Sequence, residues 1–287
     1  MPTEFSDTPG LALWREGHRT RLKWHRLRRQ MSDPLFDAAT MREGFRLGAS
    51  MELDLRVRAD GGFVVLHDET LDRETNGTGE IAKLRRADME GFRFNDGALR
   101  PLLFSEDLAA LLHGAHPEAL LQFDMKDDLA AIGPAGVAHL VERFVDIPAS
   151  IIVSGACLEL IAQLRDKAPW LLRGIDPTDK LVAIHRDQGL AAMEAELLAD
   201  LRGPTDPNTV YLQWTLILKA QQLGLDLIGL CHSEGREVDA WTYTLKTPAT
   251  GFDAAEWADF SALMALRPNQ ITTDEAPATE RAYLARA

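Results

Sequence analysis

Short apolar runs alternate along the chain with longer segments that have the periodicity of amphipathic helices. The short runs predict strands at Arg21–His25, Met51–Val57, Phe63–Leu66, Leu120–Met125, Ile151–Val153, Leu171–Ile175, Val210–Leu212, Val238–Thr242 and Gln270–Thr273. The longer segments predict helices at Phe36–Leu47, Phe104–His113, Pro134–Phe144, Leu158–Lys167, Gly189–Leu201, Leu216–Leu223 and Ala254–Leu266. Strands separated by helices are typical of a parallel sheet built from βαβ units.

Eight such units fit a chain of 287 residues, so the α/β pattern predicts a (β/α)8 TIM barrel. We expect one domain over residues 1–287, with its core at about 21–280. The segment Asp72–Pro101 is rich in Gly, Asn and charged residues, and predicts an extended loop after the second strand of the barrel. A doubly wound sheet is the alternative fold, but no glycine-rich phosphate loop follows the first strand.

The composition, 46% hydrophobic and 26% charged residues, is that of a globular protein and excludes a disordered or collagen-like chain. Thirty-one Lys and Arg against 44 Asp and Glu give a net charge of −13, which argues against nucleic acid as a partner. Cys157 and Cys231 are too few for a disulfide framework, so we expect buried free thiols in a reducing compartment. There is no signal-peptide pattern and no apolar run long enough to span a membrane. We therefore expect a cytoplasmic protein without stable membrane insertion.

Two predicted strands carry acidic side chains at a spacing that places them on one face. Successive side chains of a strand point to opposite faces. Glu52 and Asp54 therefore share one face of their strand, and Asp124 and Lys126 share one face of theirs. In a barrel these faces point inward, and three crowded carboxylates are costly unless a cation balances them. Their hard oxygen atoms suit Mg²⁺ or Ca²⁺ better than zinc. A strand that faces solvent would also explain the Glu-x-Asp pattern.

Two histidines end predicted strands, where a (β/α)8 barrel carries its chemistry. His25 follows the first strand and His67 follows the run Val64–Leu66. Each could transfer protons near neutral pH, although a structural role is the alternative for each.

Two further side chains are candidates for substrate contacts. Arg26 offers a planar fork of donors that matches a phosphate, whereas most of the other basic residues of the segment 15–29 are interpreted as a solvent-exposed face. Trp241 shares a strand face with Asp239 and is either a core residue or a wall of the site.

Taken together, these motifs resemble the glycerophosphodiester phosphodiesterase family, which has a phospholipase C-like phosphodiesterase TIM barrel. The family pattern is a His-Arg after the first strand, a Gly-Ala…Glu-x-Asp strand and a strand-end His-Asp. The matching segments here are His25-Arg26, Gly48–Asp54, His67-Asp68, Leu71–Gly79, Leu99–Leu103, Ala240–Thr242 and Ile271–Asp274. The likeness runs from about Lys23 to Pro277.

The resemblance implies a metal-dependent phosphodiesterase that hydrolyses glycerophosphodiesters to an alcohol and glycerol 3-phosphate by His/His acid–base catalysis. It implies Mg²⁺ or Ca²⁺ as cofactor and a small phosphodiester as the partner. The implied residues are Glu52, Asp54 and Asp124 for the metal, His25 and His67 for catalysis, and Arg26, Lys126 and Trp241 for substrate binding.

Three positions depart from the family pattern. Leu27 replaces a glycine, Pro34–Asp37 replaces Pro-Glu-Asn-Thr, and Asp124 replaces a Glu. An Asp-x-Lys strand also resembles the sphingomyelinase D-like phospholipases. A sugar phosphodiester or a lysophospholipid is therefore an alternative substrate, and Leu27 and Leu35 predict an apolar mouth that would accept larger alcohols.

Two other functions are alternatives to phosphodiester hydrolysis. A non-catalytic binding barrel is disfavoured because every polar position of the constellation is chemically competent. A metal-dependent aldolase is disfavoured because Lys126 is the one lysine at a predicted strand end, and it lies beside a carboxylate.

Overall fold

The structure is a computed structural model that describes residues 9–147 and 150–286. The strands of these residues are β1 (Ala12–Arg15), β2 (His18–Trp24), β3 (Ser50–Val57), β4 (Phe63–Val65), β5 (Leu120–Met125), β6 (Ile151–Gly155), β7 (Leu172–Ile175), β8 (Thr209–Gln213), β9 (Glu237–Trp241) and β10 (Gln270–Thr273). The helices are α1 (Ala38–Leu47), α2 (Arg86–Met89), α3 (Ser105–Leu112), α4 (Leu129–Phe144), α5 (Leu158–Lys167), α6 (Thr178–Gln188), α7 (Leu190–Leu201), α8 (Trp214–Gln222), α9 (Leu227–Ser233), α10 (Ala254–Ala265) and α11 (Ala276–Leu284).

The strands form one sheet in the order β1-β2-β10-β9-β8-β7-β6-β5-β3-β4. β1 and β4 run antiparallel to their neighbours β2 and β3. The other eight strands are parallel and form a closed (β/α)8 barrel, which confirms the predicted fold. The run Phe63–Leu66 is a strand as predicted, but it forms a hairpin with β3 and is not a member of the barrel. The hydrophobic pattern does not predict β1, α2, α6, α9 or α11.

The chain forms two compact units. The first comprises the residues up to Asp33 together with those from Gly174 onward, and it contains β1, β2 and β8–β10. The second comprises Pro34–Arg173 and contains β3–β6. That residues 1–287 make a single domain stays a prediction.

Aspartate side chains begin four of the helices. Asp37, Asp128, Asp226 and Asp253 each accept a hydrogen bond of 2.7–2.9 Å from the backbone N–H three residues later. Each bond satisfies an amide that no helical carbonyl reaches. α1 ends at Leu47 and is followed by Gly48, whose φ of 75° is the left-handed conformation that glycine adopts without a steric penalty. The chain can therefore turn directly into β3, which carries two of the candidate ligands.

β3 is buried on both faces, as expected of a strand in a parallel barrel. Its apolar side chains Met51, Leu53 and Leu55 are fully buried. Glu52 and Asp54 occupy the opposite face and are 4% and 1% exposed. The alternation of the sequence therefore places two carboxylates inside the protein and excludes a solvent-facing strand.

None of the helices in the described part of the chain is long and apolar enough to cross a membrane. The sequence prediction that the chain lacks a signal peptide concerns in part residues 1–8, which lie outside the described residues. Both cysteines are free thiols; Cys231 is buried as expected, whereas the expectation of burial is wrong for Cys157, which is half-buried next to the start of α5.

A buried ion pair lies inside the first unit. Lys23 Nζ is 2.8 Å from Asp239 Oδ2 and 4.4 Å from the ring centroid of Tyr211. Thr272 Oγ1 donates a hydrogen bond of 2.7 Å to Asp239 Oδ1. Lys23 is 2% exposed and Asp239 is fully buried. The interpretation of Lys23 as part of a solvent-exposed basic segment is therefore wrong, because its position on β2 directs it at Asp239.

We expect Lys23→Met to lower the free energy of unfolding by about 3–5 kcal/mol, because Asp239 would remain buried without its cation. Lys23→Met/Asp239→Asn should recover most of this loss, since no uncompensated charge remains and the Asn still accepts from Thr272. Denaturant-induced unfolding followed by circular dichroism measures both, with Lys167→Met at an exposed lysine as the control. A double variant as unstable as the single variant would show that charge compensation is not the cause.

Candidate active site

Three carboxylates meet on β3 and β5. The two strands pair so that Asp54 lies opposite Asp124 and Glu52 lies opposite Gln122. One oxygen atom from each of Glu52, Asp54 and Asp124 lies within 4.8 Å of the other two. Asp124 is half-buried, whereas the other two are buried. The structure thus brings together the three residues that the sequence singles out as metal ligands.

Lys126 lies against this carboxylate cluster. Its Nζ is 2.8 Å from Asp54 Oδ1 and 2.5 Å from Asp124 Oδ2. Burial by itself would lower the pKa of Lys126, but Asp124, Asp54 and Glu52 raise it above the ordinary lysine value. With the three carboxylates ionised, one ammonium leaves the group at −3 + 1 = −2. An all-oxygen donor set with this charge fits a hard divalent cation such as Mg²⁺ or Ca²⁺.

His67 lies just beyond the end of β4, in the second unit. Its Nδ1 is 2.9 Å from Asp68 Oδ1, so a proton on Nδ1 is donated to the carboxylate and Nε2 is left for proton transfer. Arg73 binds Asp68 through both Nε and Nη2. This pairing, together with the hydrogen bond from His67, holds the pKa of Asp68 far below its usual range. Asp68 therefore stays ionised on the Nδ1 side of the His67 ring.

His25 has a similar arrangement in the first unit. It begins the single 3₁₀ turn that follows β2, and its Nδ1 is 2.9 Å from Asp274 Oδ1. Arg28 Nη2 donates to the same oxygen at 2.6 Å, and Thr244 Oγ1 donates to Asp274 Oδ2 at 3.0 Å. Burial would raise the pKa of Asp274, but the hydrogen bond from His25, with Arg28 and Thr244, lowers it to about 2. Asp274 is thus a fixed anion that holds the Nδ1 side of the imidazole.

The turn that carries His25 has a left-handed backbone at two residues, with φ of 52° at Arg26 and 59° at Leu27. This region favours glycine, and Leu27 stands where the family pattern has one. Leu27 is fully buried, and Leu35 is half-buried. The prediction that Leu27 makes the mouth apolar is therefore wrong, because its side chain packs in the core. Arg26 is half-buried.

Trp241 is the last residue of β9 and lies opposite Gln213 of β8. The residue is half-buried, and its indole Nε1 is buried without a hydrogen-bond partner among the described residues. Buried polar atoms normally have a partner, whereas this N–H is an unsatisfied donor among the described residues.

Four residues around the two histidines are absent from the candidate site residues taken from the sequence. Asp68 and Asp274 contact the histidines, and Arg73 and Arg28 bind these two carboxylates. Asp68 directly follows His67, and Asp274 directly follows β10; both lie in segments that match the family pattern, which was the available signal. Arg28 is interpreted from the sequence as solvent-exposed, and this is wrong because it binds Asp274 and is 12% exposed.

Comparison with known proteins gives one family and many similar folds. The model of the Glycerophosphoryl diester phosphodiesterase family matches residues 38–276. No curated protein matches the chain. A glycerophosphodiester phosphodiesterase from Agrobacterium tumefaciens str. C58 has a similar fold, with a TM-score of 0.63 and 20% identity over 92% of this chain and 99% of that chain.

Two further solved structures share the fold. A glycerophosphodiester phosphodiesterase from Parabacteroides distasonis has a TM-score of 0.68 and 13% identity over 93% of this chain and 98% of that chain. A phosphodiesterase from Oleispira antarctica, in complex with the product sn-glycerol-3-phosphate, has a TM-score of 0.64 and 14% identity over 91% of this chain and 96% of that chain. These TM-scores show a common fold, and the match of the family model over residues 38–276 of 287 shows more: the chain belongs to the glycerophosphoryl diester phosphodiesterase family.

Proposed function

We propose that the protein is a metal-dependent phosphodiesterase that hydrolyses glycerophosphodiesters to an alcohol and glycerol 3-phosphate. The observation that carries the proposal is the cluster of the buried Glu52 and Asp54 with the half-buried Asp124, with Lys126 beside it, in a chain of this family. The complex of the Oleispira antarctica neighbour with sn-glycerol-3-phosphate supports the same product here. The cytoplasmic location inferred from the sequence stays a prediction.

Glu52, Asp54 and Asp124 would hold Mg²⁺ or Ca²⁺, which when bound supplies Lewis-acid polarisation of the phosphoryl oxygens. Arg26 and Lys126 bind the phosphate group and balance the negative charge that develops on it. Lys126 suits this role because three neighbouring carboxylates keep it protonated.

Proton transfer falls to the two histidines, with His25 as general base and His67 as general acid. His25 accepts a proton from the attacking water as the new P–O bond forms, and His67 protonates the alkoxide as the P–O bond to the alcohol breaks. Asp274 and Asp68 hold the Nδ1 atoms, so both transfers take place at Nε2. The family match begins at residue 38, so the assignment of His25 is supported by its pairing with Asp274 and by the His-Arg motif.

Substrate contacts are completed by Trp241. We propose that its indole ring forms a wall of the site, because Trp241 is half-buried at the end of β9. Because Leu27 is buried in the core, we propose that glycerophosphodiesters are preferred over larger diesters.

Removing divalent metal with a chelator should abolish release of glycerol 3-phosphate from glycerophosphocholine, and adding back Mg²⁺ or Ca²⁺ should restore it. Asp54→Asn should lower kcat/KM by more than ~100-fold, because it removes a charged ligand from the cluster. Asp187→Asn, at an exposed aspartate on α6, is the matched control. Full activity of the metal-stripped protein would exclude metal dependence.

His25→Ala and His67→Ala should each lower kcat by ~10²–10⁴-fold, the usual contribution of a general acid or base. A nitrophenyl phosphodiester has a leaving group that needs no proton, so it should restore the rate of His67→Ala and not that of His25→Ala. His113→Ala, at an exposed histidine, should remain fully active. The opposite pattern of rescue would reverse the two roles, and rescue of neither variant would exclude a general acid among them.

Glycerophosphocholine should give the highest kcat/KM in a panel that also contains glycerophosphoinositol, a sugar phosphodiester and a lysophospholipid. Glycerol 3-phosphate should be the phosphorylated product, since water attacks phosphorus and the other alcohol leaves. Mass spectrometry of the products measures which bond is broken. A cyclic phosphate product would identify a substrate hydroxyl as the nucleophile, and hydrolysis of monoesters alone would overturn the reaction class.

A further inference from the structure

The peptide groups of His67 are held on both sides by charged side chains. The His67 N–H donates to Glu74 Oε2 at 3.0 Å, and the Asp68 N–H points at the same oxygen at 3.4 Å. The His67 carbonyl accepts a hydrogen bond of 2.9 Å from Arg56 Nε. Since β4 ends at Val65, these peptide groups lie outside the strand and depend on side chains for their partners.

Glu74 is a carboxylate that packing alone does not explain. Its side chain is 4% exposed, and its second oxygen lies 3.7 Å from Arg73 Nη2. Burying a charged group is costly, whereas an apolar side chain of similar size would fill the space without that cost. What the carboxylate adds is charge-assisted bonding to the backbone N–H of His67 and the neighbouring residue.

Arg56 connects the same loop to the strand of the carboxylate cluster. Besides the His67 carbonyl, its Nη1 donates to the Lys126 carbonyl at 3.1 Å and to Asp127 Oδ1 at 2.9 Å. Asp127 Oδ2 in turn accepts from the Val57 N–H at 2.7 Å. The Arg56 side chain is 12% exposed, and its guanidinium links the backbone at His67 to the backbone at Lys126.

We propose that Glu74 and Arg56 form a clamp that positions His67 for proton transfer. Glu74 holds the N–H side of the residue, Arg56 holds its carbonyl side, and Asp68 holds the ring. Both clamp residues are positioning residues that act through His67, and this role rests on the proposed function, in which His67 is the general acid. A displacement of about 1 Å at a catalytic group can cost ~10²-fold in rate, so a backbone clamp has a measurable effect.

Glu74→Ala and the volume-conserving Glu74→Met remove the acceptor, and each should lower kcat for glycerophosphocholine by ~10–100-fold with a smaller change in KM. Glu74→Gln keeps an acceptor for the amides and should recover most of the loss. The matched control is Glu69→Ala, which removes an exposed carboxylate from the same loop and should stay within about twofold of the wild type. Unchanged kcat in both acceptor-free variants would overturn the proposal.

A double-mutant cycle separates positioning of His67 from a general structural effect. If Glu74 acts through His67, Glu74→Met should cost less than about twofold in a His67→Ala background. The nitrophenyl substrate, which needs no acid, should restore Glu74→Met as it restores His67→Ala. Arg56→Met should still lower kcat in the His67→Ala background, because Arg56 also holds the Lys126 carbonyl. If the fold-losses in kcat of Glu74→Met and His67→Ala multiplied in the double variant, the two residues would act independently and the clamp would be contradicted.

Hydrogen exchange distinguishes failure of the clamp from failure of the proposed function. Amides 67 and 68 should exchange faster in Glu74→Met than in the wild type, and this readout requires no catalysis. Suppose that His67→Ala were fully active and that amides 67 and 68 exchanged faster in Glu74→Met. The assignment of His67 as general acid would then be wrong, but Glu74 would still be shown to hold the backbone of His67. Unchanged exchange in Glu74→Met would remove the clamp, whatever the activity of His67→Ala.

Discussion

The crowding of like charge on β3 and β5 is the constraint on which the site depends. Glu52, Asp54 and Asp124 approach one another closely in a region where water screens little of their repulsion. Lys126 offsets part of this charge by contacting two of the three carboxylates. The remaining negative charge suits the cluster to a divalent cation, which would offset the repulsion among the three carboxylates.

Ion pairing organises the surroundings of both histidines. Each imidazole has a carboxylate at Nδ1, and each carboxylate is bound by an arginine, as Arg73 binds Asp68 and Arg28 binds Asp274. The arginines keep these anions ionised, and the anions fix the tautomer and orientation of the rings. A group that is oriented before the substrate arrives loses little free energy to reorganisation during the reaction.

The turn after β2 shows how packing can hold an unfavourable backbone in place. Arg26 and Leu27 adopt left-handed conformations that cost a residue with a side chain free energy. Burial of Leu27 offsets this cost, and the Arg28–Asp274 pair anchors the residues that follow. The geometry of His25 therefore depends on core packing next to the site as well as on its own hydrogen bond.

The sequence by itself determined the parallel barrel and the pairing of Glu52 with Asp54, because the alternation of strand side chains and the spacing of strands and helices are local properties. It also placed both histidines close to strand ends. Tertiary structure alone decided that Lys23 is buried against Asp239, that Leu27 lies in the core, and that Glu74 and Arg56 hold the backbone of His67. Lys23 and Asp239 are distant in the chain, whereas Glu74 and Arg56 are 7 and 11 residues from His67. In each case a charged side chain carries no local signal of whether its partner is water or another protein group.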